Sequence, residues 1–439
     1  MKNTSLEYTP TASLRPYSRN ARTHSKKQIR QIARSIEKFG FNNPVLISDD
    51  REIIAGHGRI AAAELLGMEI VPTIRLSHLS EADRKAYVLA DNKLALNAGW
   101  DQDILAIELQ AIIDTEIDVD FTGFEMPEID IILDAAAARQ PHALKDLDDD
   151  IPAPPLNPVT RAGDIWFMGR HRLICGNALH PPVCGLLLDG ESVDLIFTDP
   201  PYNVPIAGNV SGLGKHRHRE FAFASGEMNR VEFTAFLATA LGIAAANARD
   251  GAIAFVCMDW RHMHELQVAG ELAFDDLKNV CVWNKTNAGM GTFYRSKHEM
   301  VFVFKIGKAP HINNFGLGDK GRYRTNVWDY TGISSLSATR DTELAMHPTV
   351  KPVKLVLDAI EDCSQRGDIV LDPFGGSGTT LIAAERCGRK ARLIEYDAAY
   401  CDTIVRRYEL LTGKRATLGA HGSDSETVAD QRQICSQAA

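Results

Sequence analysis

The chain has 439 residues, of which 45% are apolar and 24% charged, a composition typical of soluble globular proteins with two or three domains. No apolar run approaches the roughly 18 residues that a membrane-spanning helix needs, and the first residues, MKNTSLEYTP, lack the apolar stretch of a signal peptide. The eight cysteines are scattered without a CxxC pair, which indicates neither a disulfide framework nor a zinc site. We therefore expect a cytoplasmic protein with no membrane partner and no metal.

The net charge of −9 is concentrated in one segment. Residues 114–150 hold twelve Asp or Glu against Arg139 and Lys145, a balance of −10, so the rest of the chain is close to neutral. The overall charge therefore does not exclude a nucleic-acid partner, and local basic clusters have to be considered instead.

Residues 1–105 have the pattern of a small α+β domain. Ser25 and Gln28 form a capping-box sequence before a helix that Gly40 can end. Two short apolar runs, NPVLI and EIIAG, then flank the turn sequence SDDR and predict two strands. A second helix is predicted within GHGRIAAAELLG (56–67), and the strand VPTIRL follows it.

Three further zones follow along the chain. Residues 106–160 combine an acidic segment at helical spacing with a linker rich in Pro, Asp and Ala. From 161 to 415, apolar strands alternate with helical stretches, which predicts an α/β domain with a mostly parallel sheet. Residues 416–439 are small, polar and unpatterned, and we expect a disordered tail.

The stretch IVLDPFGGSGTTLIAAERCG (369–388) predicts a ligand-binding loop. An apolar strand ends at Asp372, and a glycine-rich loop leads into a helix, an arrangement that brings backbone N–H groups close to a ligand. Glu395 ends the next strand, nineteen residues after Gly376, where Rossmann-type sites bind ribose hydroxyls. The loop matches neither GxGxxG nor GxxxxGK[ST], so a nucleoside without phosphates is favoured, and a turn without a ligand is the alternative.

The stretch FTDPPYN (197–203) follows another apolar strand. Asp199 can accept a hydrogen bond from an amine, Tyr202 can stack on a planar ring, and two prolines fix the backbone between them. Hydrogen-bond acceptors for the protons of an exocyclic base amine make its nitrogen more nucleophilic and stabilise the charge that develops during attack. The alternative, a proline-stiffened turn, explains the prolines but not the acid and the aromatic ring.

These stretches resemble a known family. FTDPPYN resembles the DPPY catalytic motif of S-adenosylmethionine-dependent amino-methyltransferases that act on DNA, LDPFGGSGTT resembles their cofactor loop, and HPTVKP (347–352) resembles a segment beside the cofactor pocket. The order of the motifs is that of the β class, which implies a Rossmann-like domain with the catalytic half before the cofactor half. The implied catalytic residues are Asp199, Pro200, Pro201 and Tyr202, and the implied cofactor residues are Asp372, Phe374, Gly375, Gly376, Ser377, Gly378, Thr379 and Glu395.

One position departs from the family pattern. Members usually carry an acid after the glycine that precedes the catalytic strand, whereas this chain reads LICGNAL with Asn177 there. Asn keeps a hydrogen-bond acceptor but loses the charge, so we expect Asn177 to bind the cofactor more weakly than an acid would.

Basic clusters supply the candidate DNA contacts. The run KHRHRE (215–220) lies in a glycine-rich stretch after the catalytic motif, and it can clamp phosphates or be a solvated surface run. Two further stretches, WNKTNAGMGTFYRSKHEMVFVFK (283–305) and GRYRTNVWDY (321–330), interleave aromatic and basic residues. The candidate DNA-binding residues here are Lys215, Arg217, Arg219, Arg295, Arg322 and Arg324.

The first zone resembles the ParB-like domain through LRPYSRNARTHS, NPVLI and GHGRIAAAELLG. In that family a glycine–arginine turn at a helix start binds phosphate, and this chain has only Arg59 where two arginines are usual. The resemblance implies phosphate or DNA-backbone contact through Arg59 rather than nucleotide hydrolysis, and a plain structural turn is the alternative.

The resemblance implies methyl transfer from S-adenosylmethionine to the exocyclic amine of adenine in double-stranded DNA, with the base flipped into the pocket. The DPPY spelling points to adenine rather than cytosine. Methylation of cytosine-N4 or of RNA, and a ParB-like DNA-binding regulator with a degenerate catalytic half, are the alternatives. A homodimer is possible because dimers are common in this class.

Overall fold

The computed structural model describes residues 5–115, 119–139, 151–204, 224–286, 293–316, 322–331, 350–420 and 422–437. The chain divides into two compact units, Met1–Gln140 and Pro141–Ala439. Within the described ranges, no helix is both long and apolar enough to cross a bilayer.

The first unit is built on a four-stranded sheet with the order β1-β4-β2-β3. In this sheet β4 pairs antiparallel with β1 and parallel with β2, and β2 pairs antiparallel with β3. The strands are β1 (Leu6–Pro10), β2 (Val45–Ile47), β3 (Ile53–Ala55) and β4 (Ile70–Arg75), and the helices are α1 (Lys26–Phe39), α2 (His57–Leu65) and α3 (Glu81–Leu96). The predicted small α+β domain is confirmed.

Local side-chain bonds explain where α1 starts. The Ser25 hydroxyl accepts the Gln28 backbone N–H at 3.1 Å, which satisfies one of the unpaired donors of the first turn. The Gln28 side chain pairs with His24 instead of returning to Ser25, so half of the predicted capping box forms. Gly40, with φ of +87°, ends the helix as predicted.

A helix pair completes the first unit. It consists of α4 (Gln102–Asp114) and α5 (Met126–Arg139), and Leu105, Leu109 and Ile129 lie in their shared core. The Asp101 carboxylate caps α4 by accepting the N–H groups of Asp103 and Ile104. The predicted boundary between 105 and 106 therefore falls inside a helix, because the polar cap four residues earlier starts the element.

The second unit contains a ten-stranded sheet with the order β11-β9-β10-β8-β7-β12-β13-β6-β5-β14. Its five central strands, β8-β7-β12-β13-β6, are parallel, and β5, β10 and β14 pair antiparallel with their neighbours. The strands are β5 (Ile165–Met168), β6 (His171–Cys175), β7 (Val193–Thr198), β8 (Ala248–Met258), β9 (Asp276–Asn284), β10 (His298–Lys305), β11 (Val327–Asp329), β12 (Ile369–Asp372), β13 (Lys390–Glu395) and β14 (Thr417–Leu418).

Helices cover both faces of this sheet. Along β7, Leu195 and Phe197 join one apolar cluster while Ile196 joins another, because successive side chains of a strand point to opposite faces. The helices are α6 (Pro181–Leu188), α7 (Arg230–Ala246), α8 (Met263–Ala273), α9 (Val353–Cys363), α10 (Thr379–Arg386) and α11 (Ala398–Thr412). The first cluster includes residues of α9, α10 and α11, and the second includes residues of α6, α7 and α8. The predicted Rossmann-like α/β architecture is confirmed.

The described residues between 417 and 437 form a strand and a helix, so the prediction of a disordered tail was wrong for them. β14 pairs with β5, and a last helix, α12 (Ser425–Gln437), follows. Val428 is buried, and Arg432 donates to both the Val159 carbonyl and the Asp164 carboxylate. A few specific contacts fix this helix in place of a continuous apolar face. A sequence search for such a face therefore does not detect it.

We expect Val428→Ala to lower the free energy of unfolding by about 2 kcal/mol, because it removes buried methyl groups from a packed contact. Urea unfolding followed by circular dichroism measures this change. The matched control is Asp430→Ala on an exposed position of the same helix, for which a change of less than about 0.5 kcal/mol is expected. Equal, negligible effects of both variants would mean that the tail does not contribute to the fold.

Candidate active site

The sheet order brings the two predicted motifs together. β12 pairs in parallel with β7 on one side and with β13 on the other. The carboxyl ends of these three strands carry Asp199, the loop after Asp372, and Glu395. Parallel α/β sheets place their ligand sites at this edge, so the structure forms one site from segments far apart in sequence.

The loop between β12 and α10 depends on its glycines. Gly376 and Gly378 have φ of +52° and +85°, in the left-handed region that other residues adopt only with strain. A Cβ at Gly378 would also lie 3.0 Å from the Ile404 side chain. The Gly375 N–H donates to the Ile394 carbonyl at 2.9 Å, which fixes the loop against β13.

Glu395 faces this loop from the end of β13. Its carboxylate accepts the Gly376 N–H and the Asp397 N–H, both at 2.7 Å. Burial raises the pKa of Glu395 to about 7, and the two backbone hydrogen bonds oppose the shift. A hydrogen-bond acceptor therefore lies beside the glycine loop, as the sequence predicted.

Asp372 links β7 to the glycine loop. Its Oδ1 accepts the Thr198 hydroxyl at 3.0 Å and the Phe374 N–H at 3.1 Å, and its Oδ2 accepts the Thr380 hydroxyl at 2.6 Å. Burial raises its pKa to about 7, against these hydrogen bonds. These contacts give Asp372 a positioning role between β7 and α10, and its predicted contact with the cofactor stays a prediction.

Contacts with neighbouring residues fix the other predicted residues of the loop. The Phe374 ring lies 5.8 Å from the Phe236 ring, measured between centroids. Arg407, which is buried, donates to the Ser377 carbonyl at 3.0 Å, and Thr379 begins α10. These contacts set the shape of the loop before a ligand arrives.

Asp199 and Tyr202 are hydrogen-bonded to each other. The Tyr202 hydroxyl donates to Asp199 Oδ1 at 2.6 Å, and Pro200 and Pro201 restrict the backbone between the two residues. Asn203 follows with φ of +53°, and its side chain bonds the backbone of Gly226 and Met228. The acid and the ring are therefore presented on a fixed stretch of chain.

A lysine that the sequence reasoning missed lies at the centre of this site. Lys351 Nζ is 2.6 Å from Asp199 Oδ2, 3.0 Å from the Tyr202 hydroxyl and 2.9 Å from Glu299 Oε2, and only 3% of its side chain is exposed. Lys285 pairs with the other oxygen of Glu299. We call these five residues, Asp199, Tyr202, Lys285, Glu299 and Lys351, the charged cluster.

Lys351 does not cover the face of Tyr202. Its Nζ lies 5.3 Å from the ring centroid but 3.0 Å from the hydroxyl oxygen, which places it beyond the hydroxyl end of the ring. The ring face that a planar ligand needs for stacking is therefore not blocked by the ammonium group.

The charged cluster shifts three pKa values. Burial raises the pKa of Asp199, and Lys351 opposes this effect. Burial alone would raise the pKa of Glu299 too, but Lys351 and Lys285 lower it to about 2. Burial alone would lower the pKa of Lys351, whereas the two carboxylates raise it above its usual value. Glu299 and Lys351 are therefore charged, and the ionisation of Asp199 depends on Lys351.

The sequence did carry signals for the missed residues. Glu299 is an acid in the otherwise apolar run EMVFVF, and a buried acid needs a partner. Lys351 belongs to HPTVKP, which the resemblance relates only to the cofactor pocket. Neither signal identifies the partner, because the pairing joins segments that are distant in the chain.

Asn177 lies next to the end of β13, which carries Glu395. It follows β6, and the preceding residue, Gly176, donates its N–H to the Glu395 carbonyl at 2.9 Å. The Asn177 side-chain oxygen accepts the Leu179 N–H at 2.9 Å, which shapes the turn into α6. Asn177 is thus near Glu395, and its predicted contact with the cofactor stays a prediction.

Two of the predicted DNA contacts are structural residues instead. Arg322 is paired with Asp358, Glu361 and Asp362 on α9, and 10% of its side chain is exposed. Arg324 binds Asp362 at 2.8 Å and the Tyr330 hydroxyl at 2.8 Å. These prediction errors have one cause: an interleaved aromatic and basic sequence also suits a segment that packs on an acidic helix.

Of the other predicted DNA contacts in this unit, the structure describes one residue and not the remaining three. Arg295 is exposed after the gap that follows β9. Lys215, Arg217 and Arg219 lie outside the described residues.

In the first unit, α2 begins after Gly56, whose φ is +106°, and a Cβ at Gly56 would lie 3.0 Å from the Arg59 guanidinium. Burial lowers the pKa of Arg59, and Asp91 opposes this shift. Arg59 therefore lies at a helix start, where the predicted phosphate contact would require it.

Comparison with protein families identifies the second unit. A DNA methylase model, N6_N4_Mtase, matches residues 193–406, which include the charged cluster, the glycine loop and Glu395. The second unit therefore carries a DNA methylase domain of this family. Two further models match the preceding part of the chain: the ParB N-terminal domain over 1–92 and the ParB-methyltransferase HTH domain over 103–162. The methylase therefore carries a ParB-type N-terminal region, whose HTH segment was not predicted from the sequence.

Individual relatives are similar to different parts of the chain. The ParB-like nuclease domain-containing protein YnaK of Escherichia coli is 53% identical over 80 residues, which are 18% of this chain and 92% of YnaK. Type II methyltransferase M.HinfI of Haemophilus influenzae is 28% identical over 239 residues, which are 50% of this chain and 64% of M.HinfI. The solved M1.HpyAVI–SAM complex is 21% identical, with a TM-score of 0.40, over 54% of this chain and 97% of that one.

Proposed function

We propose that this methylase transfers the methyl group of S-adenosylmethionine to the exocyclic N6 of adenine in double-stranded DNA, after the base has flipped out of the stack. One observation carries the proposal. The hydrogen-bonded Asp199–Tyr202 pair and the glycine loop with Glu395 lie at the same edge of the sheet, so a base amine and a nucleoside-type methyl donor can meet there.

The residues present fit S-adenosylmethionine. The loop DPFGGSGTT has no Lys or Arg for a phosphate chain, while its glycines allow close approach of a ligand and Glu395 offers a carboxylate to ribose hydroxyls. Phe374 to Thr379, Glu395 and Asn177 would hold this group. When bound, it supplies an electrophilic methyl group at the pocket.

The chain's own groups prepare the base. Each Asp199 oxygen accepts one hydrogen bond in this structure and keeps acceptor capacity for an amine N–H. Tyr202 provides a ring face for stacking, and the prolines keep this geometry without reorganisation when the base arrives. The amine nitrogen loses one proton after it has gained the methyl group, so Asp199 need not be a strong base.

The methylated base itself tests the proposal. After expression in a methylation-deficient host, digestion of the host DNA and RNA to nucleosides should yield N6-methyladenine from DNA, and none with Asp199→Asn. N4-methylcytosine would establish the second candidate, which the N6/N4 family name keeps open. Methylated RNA alone, or bound methyl donor without any methylated nucleoside, would overturn the proposal.

We expect the affinity for S-adenosylmethionine to weaken about tenfold between pH 8 and pH 6. Glu395 has a pKa of about 7, and its protonated form offers the ribose hydroxyls a poorer acceptor. Titration calorimetry at both pH values measures the change. Glu395→Gln is the control, because it keeps the shape but removes this titration while the ligand's own amino group still titrates. Parallel pH profiles of the two proteins would contradict the ribose contact.

The proposal includes the partners and the location. Exposed Arg295, together with Lys215, Arg217 and Arg219, would contact DNA phosphates, and Arg59 would contact a phosphate in the first unit. We further propose a cytoplasmic protein that forms a homodimer, which sedimentation velocity with and without DNA can test.

A further inference from the structure

We propose that Phe293 and Tyr294 form an aromatic pair that stacks on DNA bases beside the flipped nucleotide. The inference rests on the proposed function, because it names the part of the protein that contacts the bases next to the target. It concerns a surface that the catalytic and cofactor residues do not use.

The two rings are unusually exposed for large aromatic side chains. Phe293 is 89% exposed and Tyr294 is 82% exposed. Their centroids lie 4.7 Å apart with an interplanar angle of 73°, so they form one edge-to-face unit. Two adjacent, solvent-exposed aromatic rings have no role in the core, and such a surface indicates a binding site.

The pair belongs to a segment that is anchored at the charged cluster. β9 and β10 are antiparallel neighbours, and the Lys285 N–H donates to the Lys297 carbonyl at 2.9 Å just beyond their ends. Lys285 and Glu299 of this hairpin base are themselves members of the charged cluster. Phe293 is four residues from Lys297, so at most about 14 Å of chain separates the pair from this base.

The charge of the segment fits DNA. Residues 285–298 contain Lys285, Arg295 and Lys297 and no acid, and Arg295 and Lys297 are exposed. Aromatic rings that stack on bases, flanked by cations that meet phosphates, are the means by which proteins hold unpaired nucleic acid.

The experiment compares three variants on unmethylated plasmid DNA from a methylation-deficient host. For Phe293→Ala/Tyr294→Ala we expect plasmid affinity to fall by about 5- to 150-fold per stacked base, with an unchanged salt dependence. For Arg295→Gln/Lys297→Gln we expect the slope of log K against log salt to become shallower by the amount that corresponds to the loss of about two phosphate contacts. Leu272→Ala, which removes another largely exposed apolar side chain, from α8, is the control and should bind like wild type.

Affinity for S-adenosylmethionine should be the same in all four proteins. Wild-type plasmid binding and methylation by the aromatic double variant would overturn the inference. So would a change in sedimentation from dimer to monomer with intact DNA binding, because the pair would then contact a second copy. A wild-type protein that binds plasmid but transfers no methyl group would overturn the proposed function, and the binding comparison would still decide the role of the pair.

Discussion

Replacement of Lys351 by Met is expected to lower methyl transfer at pH 7 by about a hundredfold or more. Lys351 bridges Asp199 and Glu299, and without it two buried carboxylates share one site without their common cation. Burial already raises the pKa of Asp199, and loss of Lys351 raises it further. A larger fraction of Asp199 is then protonated at a given pH, and the protonated carboxyl is a poorer acceptor for the base amine.

The pH profile separates this role from a merely structural one. For Lys351→Met the acid limb of the rate against pH should move to higher pH, so that activity partly returns near pH 9. Lys351→Arg keeps the charge and should keep the acid limb in place. Lys354→Met, on an exposed lysine three residues away, is the matched control and should behave like wild type. A uniform loss of rate at every pH would contradict the electrostatic role.

The second large effect concerns stability. We expect Arg324→Met to lower the free energy of unfolding by about 3 kcal/mol, because it removes a cation from the buried group formed with Asp362 and Tyr330. Burial raises the pKa of Asp362, although Arg324 and Arg322 oppose it. Since a buried carboxyl with a raised pKa favours the folded state more as pH falls, the deficit should be larger at pH 8 than at pH 5. Urea unfolding at both pH values measures it.

Arg295→Met should have the opposite effects to Arg324→Met on stability and on DNA binding. Arg295 is exposed, so its loss should change stability by less than about 0.5 kcal/mol while weakening binding to plasmid DNA. Arg324→Met should leave DNA affinity unchanged at a temperature where the variant is folded. If Arg324→Met weakened DNA binding without destabilising the protein, the original assignment of Arg324 as a DNA contact would be restored.

The sequence was sufficient for features that local pattern controls. The ends of three strands, at Asp199, Asp372 and Glu395, were predicted from the sequence. An apolar run followed by an acid can be recognised without reference to distant residues. The glycine loop was predicted for the same reason, since φ above zero leaves few residue types possible.

Features that depend on pairing between distant segments were missed or misread. Lys351 and Asp199 are 152 positions apart, so no local window contains both. Arg324 was read as a surface cation because its partner, Asp362, lies on a helix 38 positions later. The final helix was missed because its anchor, the Arg432–Asp164 pair, joins residues 268 positions apart.

The Thr198–Asp372 hydrogen bond has a consequence for biosynthesis. It joins two residues 174 positions apart, on strands that are neighbours in the sheet. At roughly 5–20 residues per second, a ribosome makes β12 about 10 to 35 seconds after β7. Once β8 has been made, β7 can pair with it on one side but still presents an apolar, unpaired edge on the other. Until β12 is made, the nascent chain therefore has an unpaired apolar strand edge and no methyl-transfer pocket.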